Sequence, residues 1–183
     1  LSPLKKDRSR KGGFDEEILP LLRFLNAHQN YYTTSSCAGR ILLMTAGGKK
    51  HEAEWLLAAH QVVAPEAVQG ALKRPPAEQV WLRMESFIVH AGCRTMRAAE
   101  ALVRIAREVG LKRAGIIGIH PKIFAEIIGN ERLDVPIAER GAILVSEPYL
   151  AYLVREGNEK LRMNADRLNK LLEALRAGLA ASE

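Results

Sequence analysis

The chain has 183 residues with 27 Lys and Arg against 21 Asp and Glu, a formal charge of +6, and a pI near 9.5. That length is expected to form one domain spanning residues 1–183, and no apolar run is long enough to cross a membrane. Two cysteines far apart in sequence, Cys37 and Cys93, exclude a disulfide framework and predict a cytoplasmic protein, while the basic balance favours nucleic acid as a partner.

Residues 1–13 read as a basic arm in which Lys5, Lys6, Arg8, Arg10 and Lys11 are interrupted by Asp7 and Ser9. Residues 14–26 have a helical pattern, with Asp15, Glu16 and Glu17 suited to the N-terminus and Pro20 expected to kink or restart the helix. The run Tyr31-Tyr32-Thr33-Thr34-Ser35-Ser36-Cys37-Ala38-Gly39-Arg40 follows. Small hydroxylated residues before a glycine favour an open backbone that a ligand can approach. Extended, the run would put Ser36 and Arg40 on one side and Ser35, Cys37 and Gly39 on the other. Ile41 to Met44, a Gly47-Gly48 turn and residues 53–59 then predict a hairpin.

Pro65 opens a short helix over residues 66–73, closed by Pro75-Pro76. Residues 79–91 form the longest strand candidate, with Val80, Leu82, Met84, Ile88 and His90 on one face and Trp81, Phe87 and Val89 on the other. Thr95 is placed to cap a helix whose Met96, Ala99, Leu102, Val103, Ala106 and Val109 keep helical spacing, and Gly110 to stop it. Residues 113–119 and 123–128 read as strands across His120-Pro121, with short strands at 133–135 and 143–145. From Ser146 a long helix buries Leu150, Val154, Leu161, Leu168, Leu171, Leu172, Leu175 and Leu179, and turns Asn158 inward with them. This order predicts an α+β fold of two layers, with a mixed β-sheet and a long C-terminal helix.

The chemistry-bearing residues leave several readings open. Five scattered histidines and two distant cysteines match no metal-site spacing, so no metal is expected. There is no phosphate-binding loop and no Gly-x-Gly-x-x-Gly, which excludes the common nucleotide folds. Cys37 beside Arg40 is a candidate nucleophile or a small buried hydrophobe. His90, ahead of Gly92-Cys93-Arg94, is a candidate general base, although its parity with Val80 and Leu82 equally fits a core histidine. Arg40, Arg94 and Arg113 are candidate forks for carboxylate or phosphate.

Read together, the Ser-Ser-Cys-x-Gly-Arg core at Ser35 to Arg40, Asp7-x-Ser9-x-Lys11-Gly12, and His90-Ala91-Gly92-Cys93-Arg94 resemble the tRNA wybutosine-synthesizing protein 3 family. Arg113-Ala114-Gly115-Ile116-Ile117, Ser146-Glu147-Pro148-Tyr149-Leu150 and Asn158-Glu159-Lys160 complete the ordered set. The resemblance implies an α+β fold outside the Rossmann-type methyltransferases. It also implies S-adenosyl-L-methionine as cofactor, and methylation of N4 of the wyosine-type base beside the anticodon of tRNA-Phe. On that reading His90, Ser36 and Arg40 are the expected catalytic residues. Ser35, Cys37, Gly39, Arg113 and Asn158 are expected at the cofactor, and Asp7, Ser9, Lys11, Tyr32 and Arg94 at the RNA. Two other classes fit the residues alone: a non-catalytic basic RNA-binding module, and a small-molecule enzyme using Cys37.

Overall fold

The computed structural model describes residues 15–46 and 53–180; the basic arm with Asp7, Ser9 and Lys11 and the Gly47-Gly48 turn lie outside them. In chain order the first elements are α1 (Leu19–Ala27), β1 (Tyr31–Thr33), β2 (Arg40–Thr45), β3 (Trp55–Ala59), α2 (Pro65–Ala71), β4 (Val80–Glu85) and β5 (Ile88–Cys93). Then come α3 (Met96–Glu108), β6 (Arg113–Gly118), β7 (Ile123–Ile128), β8 (Leu133–Glu139), β9 (Ala142–Ile143) and α4 (Glu147–Ala180). They divide between two units. Unit one takes Leu1–Ala38, Phe87–Asn130 and Ala165–Glu183; unit two takes Gly39–Ser86 and Glu131–Asn164.

Unit one holds a four-stranded sheet in the order β1-β5-β7-β6. One face of that sheet, through Val89, Ala91, Cys93, Ala114, Ala125 and Ile127, packs with α1, α3 and the C-terminal part of α4. Pro20 sits in the first turn of α1, where its missing N–H is no loss, so it starts the helix rather than kinking it. Thr95 caps α3 by accepting from the Ala98 N–H at 3.1 Å, as its sequence position predicts. Just past that helix Gly110 takes φ 87°, the left-handed conformation that ends it. Leu168, Leu171, Leu172, Leu175 and Leu179 of α4 are all in this core.

Unit two holds a five-stranded sheet in the order β3-β2-β4-β8-β9. Ile41, Leu43, Val80, Leu82 and Met84 pack with Val68 and Leu72 and with Leu150, Leu153, Val154 and Leu161 of α4. The predicted hairpin is present as the antiparallel pair β2–β3. Asn158 does point inward. Its amide oxygen accepts from the Val63 N–H at 2.9 Å and its nitrogen donates to the Val63 carbonyl at 2.8 Å, so both ends are satisfied on one residue.

The α+β class and the long closing helix agree with the sequence reading. Two details differ. Every described pairing is antiparallel, and the strands form two sheets where a mixed one was expected. The strand expected over residues 79–91 is two strands in different sheets, broken at Ser86-Phe87. Phe87 is fully buried in the core of unit one, and the Ser86 hydroxyl donates to the Glu131 carbonyl in unit two. The break shifts the pleat. Val80, Leu82 and Met84 are buried in β4, whereas Val89 and Ala91 are buried in β5, which turns Ile88 and His90 to the opposite face from the core.

Candidate functional site

The signature run is not one continuous strand. Tyr31, Tyr32 and Thr33 pair with Cys93, Gly92 and Ala91, and Cys37 bridges to Ile88. Between those points Thr34, Ser35 and Ser36 face only Val89 and His90, so the run carries one extra residue and bulges. The bulge closes around His90. The Thr34 N–H donates to the His90 carbonyl at 3.0 Å, and the Ser36 hydroxyl receives the His90 N–H at a long 3.4 Å. Ser36 thus stands where a strand carbonyl would otherwise be. Ser35 beside it is exposed and Cys37 half-buried. The bulge is tied back to Asp15, which stands just ahead of the short 3-10 turn Glu16–Ile18 that leads into α1 and whose carboxylate accepts from the Ala38 N–H at 3.0 Å.

His90 is not a core residue; its side chain is 24% exposed. Its Nε2 lies 2.6 Å from Oε2 of Glu126, its directly opposed partner on β7. Glu126 was missed by sequence reasoning. The available signal is its parity with Phe124, opposite the apolar set Ile123, Ala125 and Ile127. On the other flank of Glu126 the register partner is Gly115 on β6, where an added Cβ would meet nothing within 4 Å. The same face carries Tyr32, Gly92 and Phe124 in adjacent register. A Cβ on Gly92 would lie 2.1 Å from Cζ of Tyr32, so only glycine lets that ring lie across the strand. Tyr32 meets Phe124 edge-on at 5.9 Å, and Nζ of Lys122 is 5.9 Å from its centroid. Arg113 begins β6 and is exposed, and exposed Arg94 follows β5, its N–H on the Asn30 carbonyl. Unit one therefore gathers Ser35, Ser36, Cys37, Tyr32, His90, Arg94 and Arg113 from the expected set.

On the core side of the same sheet two titratable groups are held protonated. Burial pushes the Tyr31 phenol up to about 12, with the Cys93 thiol adding to the rise. Burial likewise lifts the Cys93 thiol to about 11, a backbone hydrogen bond from Ala125 partly opposing it. The phenol donates to the Ala98 carbonyl at 2.9 Å. At neutral pH Cys93 is an inert thiol and a structural residue.

Gly39, Arg40 and Asn158 belong to unit two. Gly39 adopts φ 94°, a conformation that side-chain-bearing residues resist, and its carbonyl lies 2.8 Å from Nδ1 of His60. Arg40 opens β2 with its Nε on Glu85 at 2.9 Å and its guanidinium 4.5 Å from the Trp55 ring centroid. These contacts orient the guanidinium, and Glu85 was not among the expected residues.

The methyltransferase TYW3 family model matches residues 1–177. Over 165 residues the chain is 41% identical to the tRNA(Phe) 7-((3-amino-3-carboxypropyl)-4-demethylwyosine(37)-N(4))-methyltransferase 1 of Pyrococcus furiosus, covering 88% of this chain and 84% of that protein. A tRNA wybutosine-synthesizing protein 3 homolog of Mus musculus is 36% identical over 181 residues, covering 96% of this chain and 70% of its own length. The solved structure of the PH1069 protein from Pyrococcus horikoshii superposes with a TM-score of 0.83 at 39% identity, covering 90% of this chain and 86% of that one. No helix among the described residues is long and apolar enough to cross a membrane. The family model spans nearly the whole length, a solved relative at 39% identity shares the fold, and the chain belongs to the methyltransferase TYW3 family.

Proposed function

We propose that this protein, acting as one functional domain in the cytoplasm, transfers a methyl group from S-adenosyl-L-methionine to N4 of the aminocarboxypropyl-bearing wyosine-type base of tRNA-Phe. The observation that carries the reading is the bulge of Thr34, Ser35 and Ser36 closed on His90, with Glu126 at 2.6 Å. His90 lies on the sheet face turned from the core, and exposed Ser35 belongs to the bulge that closes on it, which supports reading His90 as the proton acceptor.

The donor set suits the cofactor. Arg113 offers a fork for its carboxylate, and the Ser35 hydroxyl a partner for its ribose. Bound there, the cofactor supplies an electrophilic methyl on a sulfonium. The chain's own work is to hold the base in line and to take a proton from it. On this reading His90 takes that proton, and the Ser36 hydroxyl holds its backbone N–H. Tyr32, exposed and backed by Phe124, offers a ring on which a splayed anticodon-loop base can stack, with Lys122 alongside and Arg94 available to a phosphate. The basic arm carrying Asp7, Ser9 and Lys11 contacts the RNA on the same reading, with its cations on phosphates.

The test is a methylation assay. The protein is incubated with S-adenosyl-L-methionine and tRNA-Phe carrying the unmethylated tricyclic precursor, and the digested nucleosides are weighed. Gain of one methyl on the tricyclic base is expected, with at least a tenfold loss of turnover for Ser36→Ala. A wild-type protein that binds the tRNA without methylating it would overturn the assignment.

A further inference from the structure

His90 and Glu126 face each other from adjacent antiparallel strands, and several features of the pair exceed what a surface ion pair needs. The 2.6 Å separation is that of a charge-assisted hydrogen bond. Both side chains are about three-quarters covered, at 24% and 26% exposed. The His90 backbone is fixed on both sides, its carbonyl by Thr34 and its N–H by Ser36. Beyond Glu126 the next strand offers Gly115, so no side chain from that position covers the carboxylate. The pair is flanked along its two strands by Ile88, Ile128, Gly92 and Phe124, none of which carries a competing charge.

An imidazole has two nitrogens, and the hydrogen bond made by one decides what the other can do. With Nε2 donating its proton to Glu126, Nδ1 is left as the acceptor, and it has no hydrogen-bond partner among the described residues. We propose that Glu126 is the positioning residue for His90: its carboxylate selects the tautomer protonated at Nε2, aims Nδ1 outward, and stabilises the imidazolium that forms when Nδ1 takes a proton. This deepens the methyl-transfer reading and rests on it. In that reaction the base nitrogen forms a bond to the methyl carbon as the carbon–sulfur bond breaks, and that bond's electron pair stays on sulfur. The proton of the nitrogen passes to Nδ1 of His90, and the carboxylate of Glu126 stays ionised and balances the new charge.

A cross-strand pair that served only to hold the sheet would show itself in stability and nowhere else. The variants are therefore Glu126→Gln, which keeps shape and loses charge, and Glu126→Asp, which keeps charge and loses reach. The imidazole is read directly by nitrogen NMR of the uncomplexed protein, and turnover is measured with the precursor tRNA. The expectation for Glu126→Gln is an unchanged KM for both substrates, a kcat lowered by about a hundredfold, and loss of the single Nε2-protonated signature. Glu126→Asp should recover part of kcat. Wild-type kcat in Glu126→Gln, or a tautomer mixture already present in the wild type, would overturn the proposal. Should Glu126→Gln fail to fold, the wild-type spectrum and the Asp variant still decide it. A wild-type protein without methylation would instead remove the function itself, and with it the role of the pair.

Discussion

At the scale of single residues, Gly92 is the position where the smallest change has the largest local effect. A methyl group there would stand 2.1 Å from Cζ of Tyr32, so Gly92→Ala must drive the tyrosine off the sheet. Base stacking on an aromatic contributes about 1–3 kcal/mol, so both Gly92→Ala and Tyr32→Ala should weaken tRNA binding by about five- to a hundredfold. Binding isotherms at fixed salt measure it, and wild-type affinity in both variants would exclude Tyr32 from the RNA contact. On the buried side of that strand the prediction is one of pH. Cys93 moves from 9.0 to about 11 and Tyr31 from 10.0 to about 12, both upward, so the folded state holds these protons more tightly than the unfolded chain does. Their contribution to stability is complete below pH 9, where both states are protonated. It falls as pH climbs and the unfolded chain releases first the thiol and then the phenol, and it is gone above the folded values. Denaturant melts from about pH 8 to about pH 11 should therefore show falling stability, and Cys93→Ala should flatten the first part of the fall.

At the scale of elements, the helices were the most legible part, because their ends are written in specific residues. Thr95 before Met96 and Gly110 after Glu108 bracket α3 as expected, and Thr95→Ala should cost about 1 kcal/mol in a thermal melt with no change in the site. The strands were harder to read. Hydrophobic alternation over residues 79–91 gives no sign of where one sheet ends and another begins, because Phe87 is apolar whichever core receives it. That slip of phase also lent weight to a core position for His90, since parity counted from Val80 points inward and the real count starts again at Phe87. Ser36 and His90 were visible through their motifs, whereas Glu126 was not: one acidic residue in an apolar strand reads as a solvated charge until the partner strand is known. Asp15 was similarly half legible, acidic as a helix start should be, but spent on the Ala38 N–H across the turn.

At the scale of the whole molecule, the chain passes between its two units four times, after Ala38, Ser86, Asn130 and Asn164. Unit one is therefore built from three separated stretches, and α4, about 50 Å long at 1.5 Å per residue, gives its first half to one core and its second half to the other. Ending the chain after Asn164 would remove Leu168, Leu171, Leu172, Leu175 and Leu179 from unit one. Each such loss costs about 2–5 kcal/mol, against a total stability of about 5–15 kcal/mol for a typical domain. The truncated protein should lose amide-exchange protection in β1, β5, β6 and β7, while β2, β3, β4 and β8 keep theirs. Retained protection in β5 would contradict the division of the core.

That arrangement has a consequence for how the protein is made. The signature run is translated well before the leucines that complete its core. At about 5–20 residues per second, the two are separated by on the order of ten seconds of synthesis. A message cut short after Asn164 would yield a chain carrying Ser36, His90 and Glu126 without the five α4 leucines of the core beneath them. Translation through these leucines is thus a condition for completing the core beneath Ser36, His90 and Glu126.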